Sequence, residues 1–322
     1  MKTSLIGSMI VLGAASLTVS AEEFSWGNVT VQPRVYAGYA DYSLESGSLT
    51  VIPDQGDPKK GTLLFGLPNR GKVDVTGFLG GLGATVATGR FFGDIYYQAI
   101  PSETAYSAMS EENKIDKNID NYGDVDVKHY DWAISLGYMV TDQWSMFAGY
   151  KAGKTQSEQS FSVNRPPPGS ELIQTGSYSV DFDQDGPFLG TSYSFAIGPS
   201  ALTLKAAYAY LDGKYRENFN SMCLPPSTVC PDSPLPADQG FSNWEGNSNA
   251  YSLGLSWTQS ITENLGVSLG ANYHRYAFDA SGSHRYTFTV GGNQIPESSG
   301  VLDGGSLTEE LFTLTASLFY RF

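Results

Sequence analysis

Apolar and polar residues alternate along ten separate segments of the chain. The last of them, Leu311–Phe322, has apolar or aromatic residues at every second position and mainly Thr and Ser between them. A period of two residues is typical of a β-strand with one apolar face and does not fit a helix. The pattern predicts ten strands, at Val29–Tyr42, Val73–Ala87, Phe91–Ala99, Val127–Val140, Trp144–Thr155, Phe188–Ile197, Ala201–Leu211, Ala250–Gln259, Leu265–Phe278 and Leu311–Phe322.

Short turns and long segments join the predicted strands alternately. The turn signals are Thr88–Arg90, Thr141–Gln143, Gly198–Ser200 and Thr262–Asn264. The long segments, rich in Gly, Pro, Ser, Asn and Asp, are residues 43–72, 101–126, 156–187, 212–249 and 279–310. This arrangement predicts an all-β protein, a transmembrane antiparallel up-and-down β-barrel with short periplasmic turns and long extracellular loops. An even number of strands places both termini on the periplasmic side.

Two features leave the strand count and the register open. A twelve-stranded barrel is the alternative, if Gly61–Leu67 and one other loop segment pair as strands. Gly80 and Gly81 interrupt the alternation of the second predicted strand, so we expect a bulge or a register change there. No segment after Ala21 approaches the about 18 apolar residues that a membrane-spanning helix requires.

The alternation also assigns the residues of each strand to lipid or to the lumen. In the fourth predicted strand the even-numbered residues from Tyr130 to Tyr138 are apolar and face lipid. Extended to the other strands, this parity places eight ionisable residues in the lumen: Arg34, Asp94, His129, Asp131, Lys151, Lys205, His274 and Arg321. A charge inside a membrane element is by default a functional hypothesis. Paired charges can equally fill a narrow barrel, so a pore and a packed interior both remain open.

The N-terminus has the pattern of a secretory signal. Met1 and Lys2 give a positive start, Leu5–Leu17 is apolar, and small residues lead up to Ala21. The pattern predicts cleavage at about Ala21 and a barrel domain over residues 22–322.

The C-terminal segment Leu311–Phe322 stops on an aromatic residue. It resembles the last strand of bacterial outer-membrane β-barrel proteins, which characteristically finish in Phe. The resemblance implies a place in the outer membrane of a Gram-negative bacterium, among its lipid and lipopolysaccharide. It also implies that the barrel-assembly machinery recognises this strand, chiefly through Tyr320 and Phe322.

The formal net charge of −14 argues against a nucleic-acid partner and against docking onto anionic headgroups. The sharpest acidic motif is Asp181, Asp183 and Asp185 followed by Gly186, a spacing found in calcium loops. An EF-hand would require Glu where this chain has Ser192. Calcium at the extracellular rim and an unliganded acidic rim therefore both remain open, and no other cofactor is expected.

Cys223 and Cys230 lie in one predicted loop. A pair this close in an exported chain favours a local disulfide. A metal site would usually bring further Cys or His nearby, and the sequence around them has none.

The sequence leaves three classes of function open, and we prefer the first because it assumes least about the loops. The first is a porin-like protein with a narrow channel for small solutes. The second is a non-conducting surface or structural barrel whose extracellular loops bind a partner that the sequence does not identify. The third is a rim enzyme, either lipid-modifying or similar to the omptin proteases. The omptins are ten-stranded outer-membrane barrels whose site is an Asp pair facing an Asp/His pair at the outer rim. His129, Asp131 and His274 are the candidates for such chemistry, but the likeness is one of strand count and size, and local motifs do not match.

Overall fold

A computed structural model describes residues 29–46, 50–52, 71–106, 122–165, 172–224, 235–290 and 293–322. These residues form antiparallel strands, namely β1 (Val29–Ser46), β2 (Thr50–Ile52), β3 (Gly71–Thr88), β4 (Phe91–Tyr106), β5 (Tyr122–Met139), β6 (Trp144–Arg165), β7 (Leu172–Ile197), β8 (Ser200–Leu224), β9 (Leu235–Ser260), β10 (Leu265–Val290) and β11 (Asn293–Tyr320). The ten long strands pair in chain order, and β11 pairs back with β1. The short β2 lies beside β11. The described strands therefore close into a ten-stranded barrel, which confirms the predicted fold; Gly61–Leu67 and the predicted signal lie outside the described residues.

The four predicted turn signals form tight turns at one end of the barrel, which we call the turn end. The opposite end is the loop end. Gly89 and Gly198 have φ values of 56° and 58°, in the left-handed region that glycine adopts without steric cost and that tight hairpins require. Before β6, the Thr141 hydroxyl accepts a hydrogen bond from the backbone N of Trp144 at 3.0 Å. Local residues therefore specify the turns.

The outer face carries an apolar band between two girdles of aromatic residues. The girdle at the turn end contains Phe91, Tyr138, Trp144, Phe195, Tyr320 and Phe322. The second girdle contains Tyr39, Phe78, Trp132, Tyr150, Tyr210, Tyr251, Tyr273 and Phe312. Beyond it the outward positions turn polar, beginning with Asp41, Lys128, Lys154, Asp185 and Glu310. Such a band is typical of a barrel in a bilayer, so we take the membrane-spanning segments to end at the second girdle.

Six strands continue far beyond the second girdle and form what we call the extension. Strands β6 to β11 have 22 to 28 residues each, whereas about 9–11 suffice to cross a bilayer. Here the pattern inverts, with Phe182 and Tyr215 buried inside and Asp183 and Lys214 outside. Much of the predicted loops 156–187, 212–249 and 279–310 is therefore strand, and those loop boundaries are wrong. The Gly, Ser and Asn content of these segments is typical of loops and predicts strand ends where the strands in fact continue.

The predicted bulge at Gly80 and Gly81 is also wrong. β1 and β3 pair without a register shift, with Tyr36 opposite Gly81. A Cβ on Gly81 would lie 2.4 Å from Cζ of Tyr36, so the ring lies over the glycine. Phe92 covers Gly137 on the neighbouring strand in the same way. These glycines make room for aromatic rings inside a narrow barrel.

Candidate functional site in the barrel interior

The interior at the turn end contains a cavity of about 230 Å³. Asp142 and Gln143, in the turn before β6, are among the residues that line it. Hydroxyl and aromatic side chains form much of its wall, among them Tyr96, Phe147, Ser192, Thr203 and Thr315. Small ligand sites typically combine apolar walls with a few polar groups in this way.

Two cations and one carboxylate lie on the wall of this cavity. Arg34 on β1 donates two parallel hydrogen bonds to Asp94 on β4, at 2.8 and 2.9 Å. Thr85 accepts from Arg34 at 2.9 Å and donates to Asp94 at 2.5 Å. Lys205 on β8 lines the same cavity. The bidentate geometry fixes the Arg34 guanidinium against the Asp94 carboxylate.

Towards the loop end the cavity is followed by a buried polar layer, which we call the closing layer. It consists of Tyr42, Gln98, His129, Asp131, Lys151, Thr155, Gln184 and Glu309. Asp131 is at its centre, with Nζ of Lys151 3.2 Å from its Oδ1. Gln98 donates a hydrogen bond to Oδ2 at 2.8 Å, and Nε2 of His129 lies 3.4 Å from the same oxygen. Asp131 is 0% exposed, so these contacts, and not water, stabilise its negative charge.

The closing layer joins walls that lie nearly opposite each other. Tyr42 on β1 donates a hydrogen bond to Thr155 on β6 at 3.0 Å. Gln184 on β7 donates to Glu309 on β11 at 3.0 Å. In the closed ring the members of each pair are four strands apart, and five strands apart would be diametrically opposite. These side chains therefore meet across the lumen.

His129 lies between the two carboxylates of the closing layer. Its Nδ1 is 2.8 Å from the Thr155 hydroxyl and 3.5 Å from Oε1 of Glu309, while its Nε2 faces Asp131. His129 is 1% exposed and its ring is 5.1 Å from that of Tyr42. The imidazole therefore belongs to a packed network rather than to an open surface.

An apolar cluster adjoins the closing layer and continues into the extension. Its members come from most strands and include Leu79, Ile100, Phe182, Leu211, Tyr215, Trp244, Phe278 and Leu307. Phe182 meets Phe278 edge to face at 4.8 Å, and Tyr215 stacks on Trp244 at 4.9 Å. Such packing excludes water, so the lumen is closed twice in succession.

Glu217 is a buried acid within the extension, seven positions beyond Tyr210 on β8. The Ser242 hydroxyl donates a hydrogen bond to it at 2.9 Å. Burial raises the pKa of Glu217 above its ordinary value, against the opposing effect of the hydrogen bonds from Ser242 and Tyr178. The protonated form is therefore favoured there.

The residues predicted to line the lumen fall into two groups and one outlier. Asp131, Lys151 and His129 come together in the closing layer. A second group, Arg34, Asp94, Lys205 and His274, lines the cavity. Arg321 lies past the end of β11 and is partly exposed, and its backbone carbonyl accepts a hydrogen bond from Asn264.

Four members of the closing layer, Glu309, Gln184, Tyr42 and Thr155, are not among the predicted lumen residues. Glu309 and Gln184 lie in predicted loops, although the inward parity of Thr313 and Leu311 continues to Glu309. If the alternation is continued past Glu310, a polar residue at an outward position, it places Glu309 in the interior. Contacts across the lumen have no signal in a single sequence.

The acidic motif lies on the outer face of β7, outside the apolar band. Asp181 and Asp183 lie 3.2 and 3.5 Å from Nζ of Lys154, and Arg216 contacts Asp183 at 2.6 Å. Asp185 accepts a hydrogen bond from Tyr150. Asp181, Asp183 and Asp185 stand two apart on an extended strand, so they do not form the tight turn of a calcium loop. Within the described ranges, no group of three or more His, Cys, Asp or Glu is arranged to hold a metal ion.

The catalytic candidates do not form a site at the outer rim. His129 and Asp131 are buried in the closing layer, and His274 lines the cavity towards the turn end, with its ring stacked on Tyr276 at 6.2 Å. Cys230 and the side chain of Cys223 lie outside the described part of the chain, as does any disulfide between them.

Comparison with solved structures identifies the class of fold. No family model matches the chain, and a search of curated proteins found no match. The outer membrane protease OmpT from Escherichia coli is similar over 94% of this chain and 100% of its own, with a TM-score of 0.54 and 11% sequence identity. The chain has the fold of a bacterial outer-membrane β-barrel protein.

Two further barrels are similar at lower TM-scores. The translocator domain of the autotransporter NalP from Neisseria meningitidis has a TM-score of 0.40 and 10% identity, over 90% of this chain and 88% of its own. The toluene transporter TbuX from Ralstonia pickettii has a TM-score of 0.37 and 12% identity, over 90% of this chain and 89% of its own. At these identities the likeness shows the fold alone. No helix among the described residues is long and apolar enough to cross a membrane.

Proposed function

We propose that this protein is an outer-membrane barrel that does not conduct solutes and that presents its extension and loops outside the cell to bind a partner. The observation that carries the proposal is the contact of side chains across the lumen. Tyr42 reaches Thr155 and Gln184 reaches Glu309 from strands four apart in the ring. An open channel would require these hydrogen bonds to break and the buried groups to find water.

The length of the extension supports a role outside the membrane. About 14 residues of β8 lie beyond Tyr210, up to Leu224. At about 3.3 Å per residue and a tilt of about 40°, they rise about 35 Å beyond the aromatic girdle. Paired charges cover the outer face, as where Lys154 meets Asp181 and Arg216 meets Asp183. Rigid scaffolds that carry loops are where binding usually resides.

The orientation is part of the proposal. The turn end faces the periplasm with both termini, because outer-membrane barrels have short periplasmic turns. The apolar band then contacts outer-membrane lipid, and the polar positions beyond the second girdle lie at the level of lipopolysaccharide. The barrel-assembly machinery recognises β11 through Tyr320 and Phe322.

Solute entry into proteoliposomes tests the proposal. Refolded protein is incorporated into liposomes, which are then diluted into isotonic solutions of small sugars and amino acids. We expect swelling no faster than that of protein-free liposomes, while liposomes with a general porin swell rapidly. The mobility shift of unheated protein on gels confirms that the barrel is folded. Swelling that depends on this protein and on solute size would contradict the proposal.

A narrow, gated channel is the second candidate, and the cavity at the turn end is the observation that favours it. The cavity is lined by charged residues, as half of a channel would be. This reading requires the closing layer to move. Swelling that appears only after Lys151→Ala or Tyr42→Ala would favour the gated channel over a permanently closed barrel.

A further inference from the structure

We propose that the cavity at the turn end is a binding site for a small, neutral molecule with several hydroxyl groups, of the size of one sugar ring. Hydroxyl side chains of the cavity wall bond the edge of the ring, and aromatic side chains pack against its faces. The inference goes beyond the role proposed for the extension and is independent of it, because it concerns only the turn end of the interior.

Hydroxyl groups on neighbouring strands form the first part of the site. Ser145 on β6 and Ser192 on β7 line the cavity and share a hydrogen bond of 2.7 Å. Ser194 on β7 and Thr203 on β8 also line it and share one of 2.9 Å. Each hydroxyl has one donor and two acceptor lone pairs, so each of these pairs keeps a donor and several acceptor positions for a ligand. A molecule with several hydroxyl groups matches this wall, because its groups likewise both donate and accept.

Aromatic rings form the second part of the site. Phe92 lies over Gly137, and Phe147 lies over Gly190. Phe147 also meets Phe188 edge to face, with ring centroids 6.2 Å apart. All three rings line the cavity, and their neighbours hold them in place. The face of an aromatic ring is electron-rich, so it attracts the C–H groups that a sugar ring presents on its own faces.

The ionised groups of the interior favour a ligand without net charge. Arg34 is bound to Asp94 at 2.8 and 2.9 Å, and Nζ of Lys151 lies 3.2 Å from Asp131. Among the described residues, the Lys and Arg side chains that line the cavity are Arg34, Lys151 and Lys205, and the acids that line it or adjoin it in the closing layer are Asp94, Asp142, Asp131 and Glu309. Neither sign dominates, and a charged ligand would compete with ion pairs that are already formed.

Size and access narrow the class of ligand. The cavity of about 230 Å³ is smaller than the about 300–1,000 Å³ of sites for drug-sized ligands, so one sugar ring fits and an oligosaccharide does not. The closing layer separates the cavity from the extension, whereas Asp142 and Gln143 of the turn before β6 line it. The ligand therefore reaches the cavity from the turn end, which is the periplasmic side in the orientation proposed above.

Saturation-transfer NMR on the refolded full-length protein in lipid nanodiscs tests the inference. The probes are D-glucose, the anion D-glucuronate and the cation D-glucosamine, which keep the same ring, and the larger maltotriose. We expect saturable binding of glucose and at least tenfold weaker binding of the other three. Empty nanodiscs measure the signal that comes from lipid.

Two variants test the wall and the volume of the cavity separately. Ser192→Ala with Ser194→Ala removes two hydroxyls from the wall and should weaken glucose binding at least fivefold. Ala207→Leu, at another position that lines the cavity, fills space without removing a polar group and should abolish saturable binding. The matched control is Ser281→Ala with Ser283→Ala, which removes two exposed hydroxyls at the same spacing on β10 and should leave glucose binding unchanged.

The gel mobility shift verifies that each variant is folded. The inference is overturned if the wild type binds no glucose, if glucuronate or glucosamine binds as tightly as glucose, or if folded Ala207→Leu still binds glucose as the wild type does. Unchanged binding by the folded variant that lacks the hydroxyls of Ser192 and Ser194 would contradict the role of the wall in the same way.

Discussion

Asp131→Asn removes one charge from the buried ion pair at the centre of the closing layer. Asp131 is 0% and Lys151 6% exposed, and the two charged atoms are 3.2 Å apart. At an effective dielectric constant of about 20, two unit charges at this distance attract each other by about 5 kcal/mol. Removal of one partner of a buried pair typically costs about 3–5 kcal/mol, because the other charge stays buried. Since Gln98 and the Tyr276 hydroxyl still contact the two side chains, we expect a loss of about 3 kcal/mol.

Reversible unfolding in urea, followed by tryptophan fluorescence in lipid vesicles, measures this loss. The double variant Lys151→Met with Asp131→Leu replaces both charges by apolar groups and should lie close to the wild type in stability. Together with the single variants Lys151→Met and Asp131→Leu it completes a double-mutant cycle for the pair. The matched control is the exposed pair of Lys214 and Glu245, whose charged atoms are 3.9 Å apart, and whose cycle should show no measurable coupling.

A small loss of stability would contradict this prediction. If the free energy of unfolding of folded Asp131→Asn is within about 1 kcal/mol of that of the wild type, water reaches the closing layer. The closing layer would then not seal the lumen. If the double variant is as unstable as the single one, the cost comes from packing and not from the charge.

Three further predictions test other parts of the fold. Gly137→Val places a Cβ 2.1 Å from the ring opposite and should destabilise the barrel by about 1–3 kcal/mol in urea unfolding, whereas Gly93→Val, with ordinary contacts of 3.5 Å and more, should not. The pKa of Glu217 is raised in the folded state, so its contribution to stability is complete below the ordinary pKa of about 4.3 and is lost as the pH rises through the raised value. Glu217→Gln should therefore gain stability over the wild type with rising pH, and an unchanged difference across pH would refute this; the exposed Glu245→Gln is the control. Deletion of Phe322, whose side chain is 72% exposed, should slow assembly in cells more than it lowers stability in vitro, and assembly at the normal rate would contradict this.

The membrane-spanning part of the fold was predictable because lipid imposes a simple rule on the sequence. Outward residues must be apolar, so strands such as Trp144–Thr155 stand out by their alternation. The turns were predictable for a local reason, since Gly198 and Thr141 specify them through their own backbone and side chains. Both kinds of signal lie within a few residues of each other along the chain.

The extension was not predictable in the same way, because its outer face contacts water. There the outward residues are polar and the inward residues are apolar. From Leu211 onward the inward positions of β8 become apolar and the outward ones polar. A polarity change within one strand resembles the start of a loop, especially where Gly, Asn and Ser are frequent. Parity, when continued across this change, still assigns the faces correctly.

The sequence predicted which residues face the interior, but not which of them contact each other. Parity placed His129, Asp131 and Lys151 inward, but it contained no information on which of them meet. Glu309 joins them from the far side of the ring, more than 150 residues later in the chain. Contacts between opposite walls depend on the diameter and stagger of the closed barrel, which no local pattern records.

Single-channel recording in planar lipid bilayers tests the central claim most directly. Refolded wild-type protein is added to a bilayer under an applied voltage, at low and neutral pH, and insertion is verified by protection from protease on the side opposite to addition. Because the lumen is closed, we expect the bilayer to carry no current steps above those of protein-free controls. Steady current steps of uniform size from the inserted wild type would contradict it, because ions would then pass where Tyr42 and Gln184 reach across the lumen.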